Sequence, residues 1–291
     1  MITSGVPSCF IWGLVLVVWS AASIFVAQKR KWFSSRITVD EFPFTARQFF
    51  VVGASFIFSI VIYLVAFKLA RGLTVALQQT PLGTSFETYS GYDWSVLEQV
   101  CGLILSAIGL SLLVSLLPLD LLPIVMGKNR GWQKWCSGAI AGIFVFPVVM
   151  LITNIIAMIS AKVAPHVHVD QDALSLLLHV HRDSLLLYLL IGTIIFIVPL
   201  VEEFLFRGFL QGFFGGIVHP VLTILITSAA FAVFHYSPLQ RGSNVEIISG
   251  LFVYSILASS FRAKESSVMA AVGMHSAFNA LALLSVCILR G

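Results

Sequence analysis

Charge is scarce in this 291-residue chain: Asp, Glu, Lys and Arg supply 10% of it, where soluble globular domains carry about a quarter. Apolar side chains supply 58%, and the mean hydropathy is +0.99. That balance excludes an ordinary soluble domain and predicts an integral, multi-pass membrane protein. Cysteine is also sparse. Cys9, Cys101, Cys136 and Cys287 are scattered in or beside apolar stretches, without the paired spacing of a disulfide framework or zinc knuckle, so they read as packing residues. The net charge of +4 comes with no dense basic stripe and no interleaved aromatics, which argues against a nucleic-acid partner. Internal repeats and low-complexity tails are lacking too, and a single membrane domain is expected over 1–291.

What is there is hydrocarbon-length runs. Apolar segments near 9–27, 48–69, 96–117, 137–161, 185–214, 220–236, 246–261 and 267–289 predict an all-α protein of about eight transmembrane helices. Strands are not expected, because the runs lack the alternation of a membrane barrel. The first segment has no basic residue ahead of it and ends at Lys29-Arg30-Lys31. This is the reverse of a signal peptide's charge order, so it reads as a retained helix with an external N-terminus. The first, third, fifth and seventh loops then face the cytoplasm, and they carry ten Lys/Arg against six in the others, in the sense of the positive-inside bias.

The division along the chain is uneven. Residues 1–165 read as scaffold helices with few ionisable groups, and Gly138-Ala139-Ile140-Ala141-Gly142 offers a small-xxx-small surface for close helix approach. Asp120, between Pro118 and Pro123, reads as a helix-end residue near the interface. His166, His168, Asp170, Asp172, His179, His181 and Asp183 lie in one polar loop. They read as a solvated extracytoplasmic segment, with metal binding as the competing interpretation.

Residues 185–285 are different, because they hold Glu202, Glu203, Arg207, His235 and His275 inside apolar segments. A charge near the bilayer centre costs about 2.5–3.5 kcal/mol or more, so such groups face cavities and each other and mark function. Glu203 and Arg207 have i,i+4 spacing with the acid N-terminal, which favours an ion pair. Glu202, about 100° round the helix, is then left to act as a base. The fifth and sixth segments form a hairpin turning near Gly216–His219, and Glu202 and His235 each lie about 25 Å from that turn, at matching depth. Gly208, Gly212 and Gly216 make a smooth stripe along which the sixth segment is expected to approach. His275 is followed at i+4 by Asn279, an imidazole and a carboxamide on one face that suit an oxyanion or a held water. His275 lies so near the start of its segment that its depth matches the others less well.

Glu202-Glu203-Phe204-Leu205-Phe206-Arg207, Phe231 to His235, and His275 to Asn279 resemble the EExxxR, FxxxH and HxxxN motifs of the CPBP family of intramembrane proteases, which includes the type II CAAX prenyl endopeptidases. The resemblance covers about 185–285, and no motif position departs from the pattern. It implies that Glu202 with His235 activates a water against a peptide carbonyl, while His275 and Asn279 stabilise the oxyanion. Glu203, Arg207 and Phe231 are supporting residues, and no cofactor is required. Zinc is the competing possibility, with Glu202, His235 and His275 as its ligands. The implied partners are membrane lipid and a membrane-tethered or prenylated protein or peptide substrate.

The HExxH of soluble and site-2 zinc proteases is absent. Tyr92-Asp93 lacks the GxGD of an intramembrane aspartyl protease, and no GxSG occurs. Two readings from other classes compete: a proton-coupled transporter using the same residues as a relay, and a non-catalytic scaffold or immunity protein. Polar groups confined to one half of the chain favour the enzyme over the transporter, whose repeats usually place them in matching halves.

Overall fold

The structure, a computed structural model, describes residues 5–32, 44–81, 89–163, 179, 185–240 and 243–290. Its helices are α1 (Gly5–Lys29), α2 (Ala46–Gln78), α3 (Gly91–Ser115), α4 (Leu122–Met126) and α5 (Trp132–Val163). They continue with α6 (Leu185–Gly215), α7 (Pro220–Phe234), α8 (Ser243–Glu265) and α9 (Val268–Arg290). A 3₁₀ turn at Pro238–Gln240 leads into α8, and no strand occurs among the described residues. All eight expected segments are helical. Six helices, α2, α3, α5, α6, α8 and α9, are long and apolar enough to span a bilayer, while Gly13–Lys29 of α1 and α7 are shorter apolar helices. The protein is therefore an all-α, multi-pass membrane protein.

Capping chemistry sets several helix starts. Thr45 and Gln48 form a reciprocal capping box at α2, and Ser90 and Asp93 form another at α3. Each box satisfies backbone N–H groups that the first helical turn leaves over. The five-residue helix α4, which hydropathy does not predict, carries Pro123 in its first turn, where a missing N–H costs nothing.

The helices group into two compact units, and each draws on both halves of the chain. The first comprises Met1–Asp40, Asn129–Val169 and His219–Gly291, with α1, α5, α7, α8 and α9. Its central seam is α5 against α9. A Cβ on Gly138 would overlap the carbonyl oxygen of Ala270, one on Gly142 would crowd Met274 and Ala277, and one on Gly273 would overlap the carbonyl of Trp135. The small-xxx-small pattern thus does what its spacing predicts, bringing two backbones into van der Waals contact. At one end of this unit Asn129 bonds the backbone of Glu265 and Ser266, Lys134 pairs with Glu265 at 2.8 Å, and Lys264 donates to the carbonyl of Arg30. The first, third and seventh loops therefore meet at one end of the unit.

The second unit comprises Glu41–Lys128 and Asp170–Val218, with α2, α3, α4 and α6. α2 buries Ser55, Ser59, Ala66 and Ala70 and exposes Ile57, Phe58, Leu64 and Leu69. This inversion, with large apolar groups outward and small groups inward, suits a helix whose solvent is lipid. α3 approaches through Gly102 on Phe67 and Gly109 on Ile62. Asp120 is exposed between α3 and α4 and pairs with Arg47 at 3.0 Å, in keeping with a helix-end position. Within this unit the glycine stripe of α6 is covered by α4 and the start of α2: Gly208 faces Val125, Gly212 faces Ile124, and Gly216 faces Phe44. The histidine-rich loop lies outside the described residues except for His179, whose ring stacks on Tyr92 with centroids 4.5 Å apart.

Candidate active site

The ionisable residues singled out by sequence occur in two clusters, one in each unit. The acidic cluster lies on α6, whose α-helical ladder is twice widened to π-helix, at Thr193–Ile197 and Phe204–Leu210. Pro199, just after the first widening, has no N–H for the ladder. Such widened turns are uncommon and often occur at functional sites. The second begins directly after Glu203 and includes Arg207.

Glu203 and Arg207 are completely buried, and Arg207 Nη1 lies 3.0 Å from Glu203 Oε1. This is the ion pair expected of their spacing. Burying either charge alone would cost several kcal/mol, which the mutual contact offsets. Glu202 is only partly buried, in contrast to Glu203 beside it. Tyr63 of α2 lies within electrostatic reach of the Glu202 carboxylate. Gln211, one turn beyond Arg207, is also buried.

The imidazole cluster belongs to the first unit. His235 sits at the C-cap of α7, partly buried, and its Nδ1 is 2.8 Å from the carbonyl oxygen of Phe231. A carbonyl only accepts, so Nδ1 donates this bond and carries a proton. His275 is buried on α9, and Asn279 follows one turn later, partly buried. Phe231, fully buried, joins the two histidines: its ring centroid is 4.8 Å from that of His235 and 6.0 Å from that of His275. The shallow position of His275 along its helix therefore does not keep it from the His235 motif.

Sequence reasoning missed three buried residues of the same unit. Tyr254 on α8 is buried, 5.2 Å from the His275 ring, 4.8 Å from Phe278 and 6.0 Å from Phe231, centroid to centroid. Its mid-helix position was a usable signal, since membrane tyrosines concentrate at the interfaces. Asn244 exchanges two hydrogen bonds with the backbone of Ser237, at 3.1 and 2.7 Å, and so ties down the loop that follows His235. Glu246 is buried in the first turn of α8, where the helix dipole favours a carboxylate.

Within either unit, no three His, Cys, Asp or Glu side chains among the described residues converge as metal ligands. His235 nevertheless shares one feature of many metal-binding histidines, a ring N–H given to a backbone carbonyl.

A family profile described as Type II CAAX prenyl endopeptidase Rce1-like matches residues 183–281. Neither the curated proteins nor the solved structures gave a match.

Proposed function

We propose, from the match of residues 183–281 to the Rce1-like family of type II CAAX prenyl endopeptidases, that the protein hydrolyses peptide bonds of membrane-tethered or prenylated substrates. The family relationship supports a CAAX-type protease. The observation that carries the finer reading is the His235 ring, held by the Phe231 carbonyl so that Nε2 is the basic atom. Glu202 and His235 act together as the general base, taking a proton from the attacking water. Because Glu203 is neutralised by Arg207, Glu202 is the carboxylate left for that task. His275 and Asn279, one turn apart on α9, supply donors to the oxyanion of the tetrahedral intermediate. Such donors are worth about 10²–10³ in rate where water is excluded.

A zinc ion is the second reading, supported by the donor set and by the His235 Nδ1 bond. Glu202, His235 and His275 would hold it, and it would supply Lewis-acid polarisation of the scissile carbonyl.

Cleavage of a farnesylated CAAX peptide and of a panel of membrane-tethered peptides by the purified protein tests the proposal. Glu202→Gln, His235→Ala and His275→Ala are each expected to lower kcat by about 10²-fold or more, the range of a lost acid–base or oxyanion group. Cleavage that survives Glu202→Gln unchanged removes the base assignment. Stoichiometric zinc lost together with activity selects the metal reading. Proton flux in liposomes that these substitutions abolish, without proteolysis, selects a transporter.

A further inference from the structure

Within the first unit, α1, α5 and α8 line a half-open pocket of about 340 Å³ whose walls are almost wholly apolar. Its volume is at the lower end of the ~300–1,000 Å³ of small-molecule sites. Ser23 and Ile24 line it at one level of α1 and Lys31 at another, so it runs about 12 Å along the helix. That is within a single leaflet of a bilayer whose hydrocarbon is ~30 Å thick. The motif residues Glu202, His235, His275 and Asn279 do not line it.

One end of the pocket is built by the C-terminal turn of α1. Trp32 N–H bonds the carbonyl of Ala27 and Lys31 N–H bonds that of Gln28, both at 3.0 Å, the paired bonds of a Schellman motif. In that motif the residue now occupied by Lys31 is left-handed, and Lys31 has φ 53°. Glycine adopts this conformation freely, whereas a side chain is disfavoured there. The turn folds Trp32 back against Phe144 and Phe261, at 5.5 and 6.2 Å between centroids. Both Lys31 and Trp32 line the cavity. A lysine thus stands where backbone geometry favours glycine, in the wall of an apolar slot.

The surrounding charge has one sign. Lys29 and Arg30 precede Lys31, and Lys264 is anchored on the carbonyl of Arg30 at 3.1 Å. The acid at this end among the described residues of the unit is Glu265, already paired with Lys134; Glu246 lies at the opposite end of α8. We propose that the cavity binds an anionic glycerophospholipid, one acyl chain in the slot and its phosphate at Lys31. An apolar slot that fits within one leaflet and has a basic rim complements a net-negative amphiphile better than a zwitterionic one, whose own cation the rim repels. The site does not depend on the proteolytic reading.

The test uses the full-length protein in detergent with dioleoylphosphatidylglycerol and dioleoylphosphatidylcholine, read by native mass spectrometry. The wild type is expected to retain one phosphatidylglycerol in preference to phosphatidylcholine. Lys31→Gly, which relieves the left-handed residue and should melt no lower than wild type, is expected to reduce that preference about fivefold, the ratio for ~1 kcal/mol per basic residue. Lys31→Arg should restore it, and Ala27→Leu, which narrows the slot, should reduce retention of both lipids. Equal retention of the two lipids by wild type overturns the proposal, as does an unchanged preference in Lys31→Gly. A farnesylated CAAX peptide that displaces phosphatidylglycerol one for one, with Lys31→Gly without effect, also overturns it and assigns the slot to substrate.

Discussion

Adjacent glutamates at 202 and 203 have different surroundings. Glu203 is fully buried against Arg207 at 3.0 Å, whereas Glu202 is partly buried. Their spacing made the first relation legible, because i,i+4 contacts on one helix are a property of local sequence. The complete burial of the pair was not legible, since it depends on what packs over α6. Removing one member leaves the other charge uncompensated, so Arg207→Met is expected to destabilise by about 3–5 kcal/mol. Replacing both, Glu203→Gln with Arg207→Met, should recover much of that loss. Thermal melting of the detergent-solubilised variants measures it, and a double variant no better than the single would remove the ion pair as the explanation. In the first unit the same contrast holds. Phe231 was recognised by motif, but its physical role, a buried ring touching both His235 and His275, came from the packing of α7 against its neighbours. Tyr254, which shares no motif, completes that cluster from α8.

At the scale of helices, hydropathy located all eight apolar segments, while their starts followed caps. Hydropathy began the second and third segments at 48 and 96, whereas Thr45 and Ser90 start them at 46 and 91. The five residues of α4 escaped because a single turn has no hydrophobic period to read. Gly138-xxx-Gly142 marked a contact surface in advance, and the partner face on α9, with Gly273, emerged only from the fold. Glycine substitutions should therefore differ sharply by position. Gly138→Ala places a methyl into the Ala270 carbonyl and is expected to cost about 1–3 kcal/mol or more. Gly72→Ala on α2 meets nothing within 4 Å and is expected to be neutral or to stabilise by about 0.5–1 kcal/mol. Equal melting temperatures for the two variants would contradict the α5–α9 seam.

At the scale of the molecule, the odd-numbered loops are brought together inside each unit. In the first, Arg30, Asn129, Lys134 and Glu265 gather at one end; in the second, Arg47 meets Asp120 and Phe44 meets Gly216. This is the grouping expected of an alternating eight-span chain, and the basic excess of those loops predicts that they face the cytoplasm. Single cysteines at positions 31, 128 and 264, in a background lacking the native four, should react with a membrane-impermeant thiol reagent only after the cytoplasmic side is opened. A cysteine at 239 in the sixth loop should react from the outside. Labelling of position 31 from the outside would reverse the orientation. The protein is also expected to stay in the membrane pellet through alkaline carbonate extraction, because large side chains such as Phe50, Phe58 and Leu64 have no aqueous cover.

By itself, the sequence determined the solvent, the number of apolar segments and the residues that carry charge or imidazole within them. Each of these is a sum or a spacing along one stretch of chain, and so is fixed by covalent order. The tertiary structure decided which helices share a unit, what covers the glycines of α5, α6 and α9, that Phe231 links the two histidines, that Tyr254 joins them, and that Lys31 lines a slot among α1, α5 and α8. Those relations bring together residues up to more than two hundred positions apart. They are settled by which surfaces interlock most closely, a condition that hydropathy and short-range spacing do not contain.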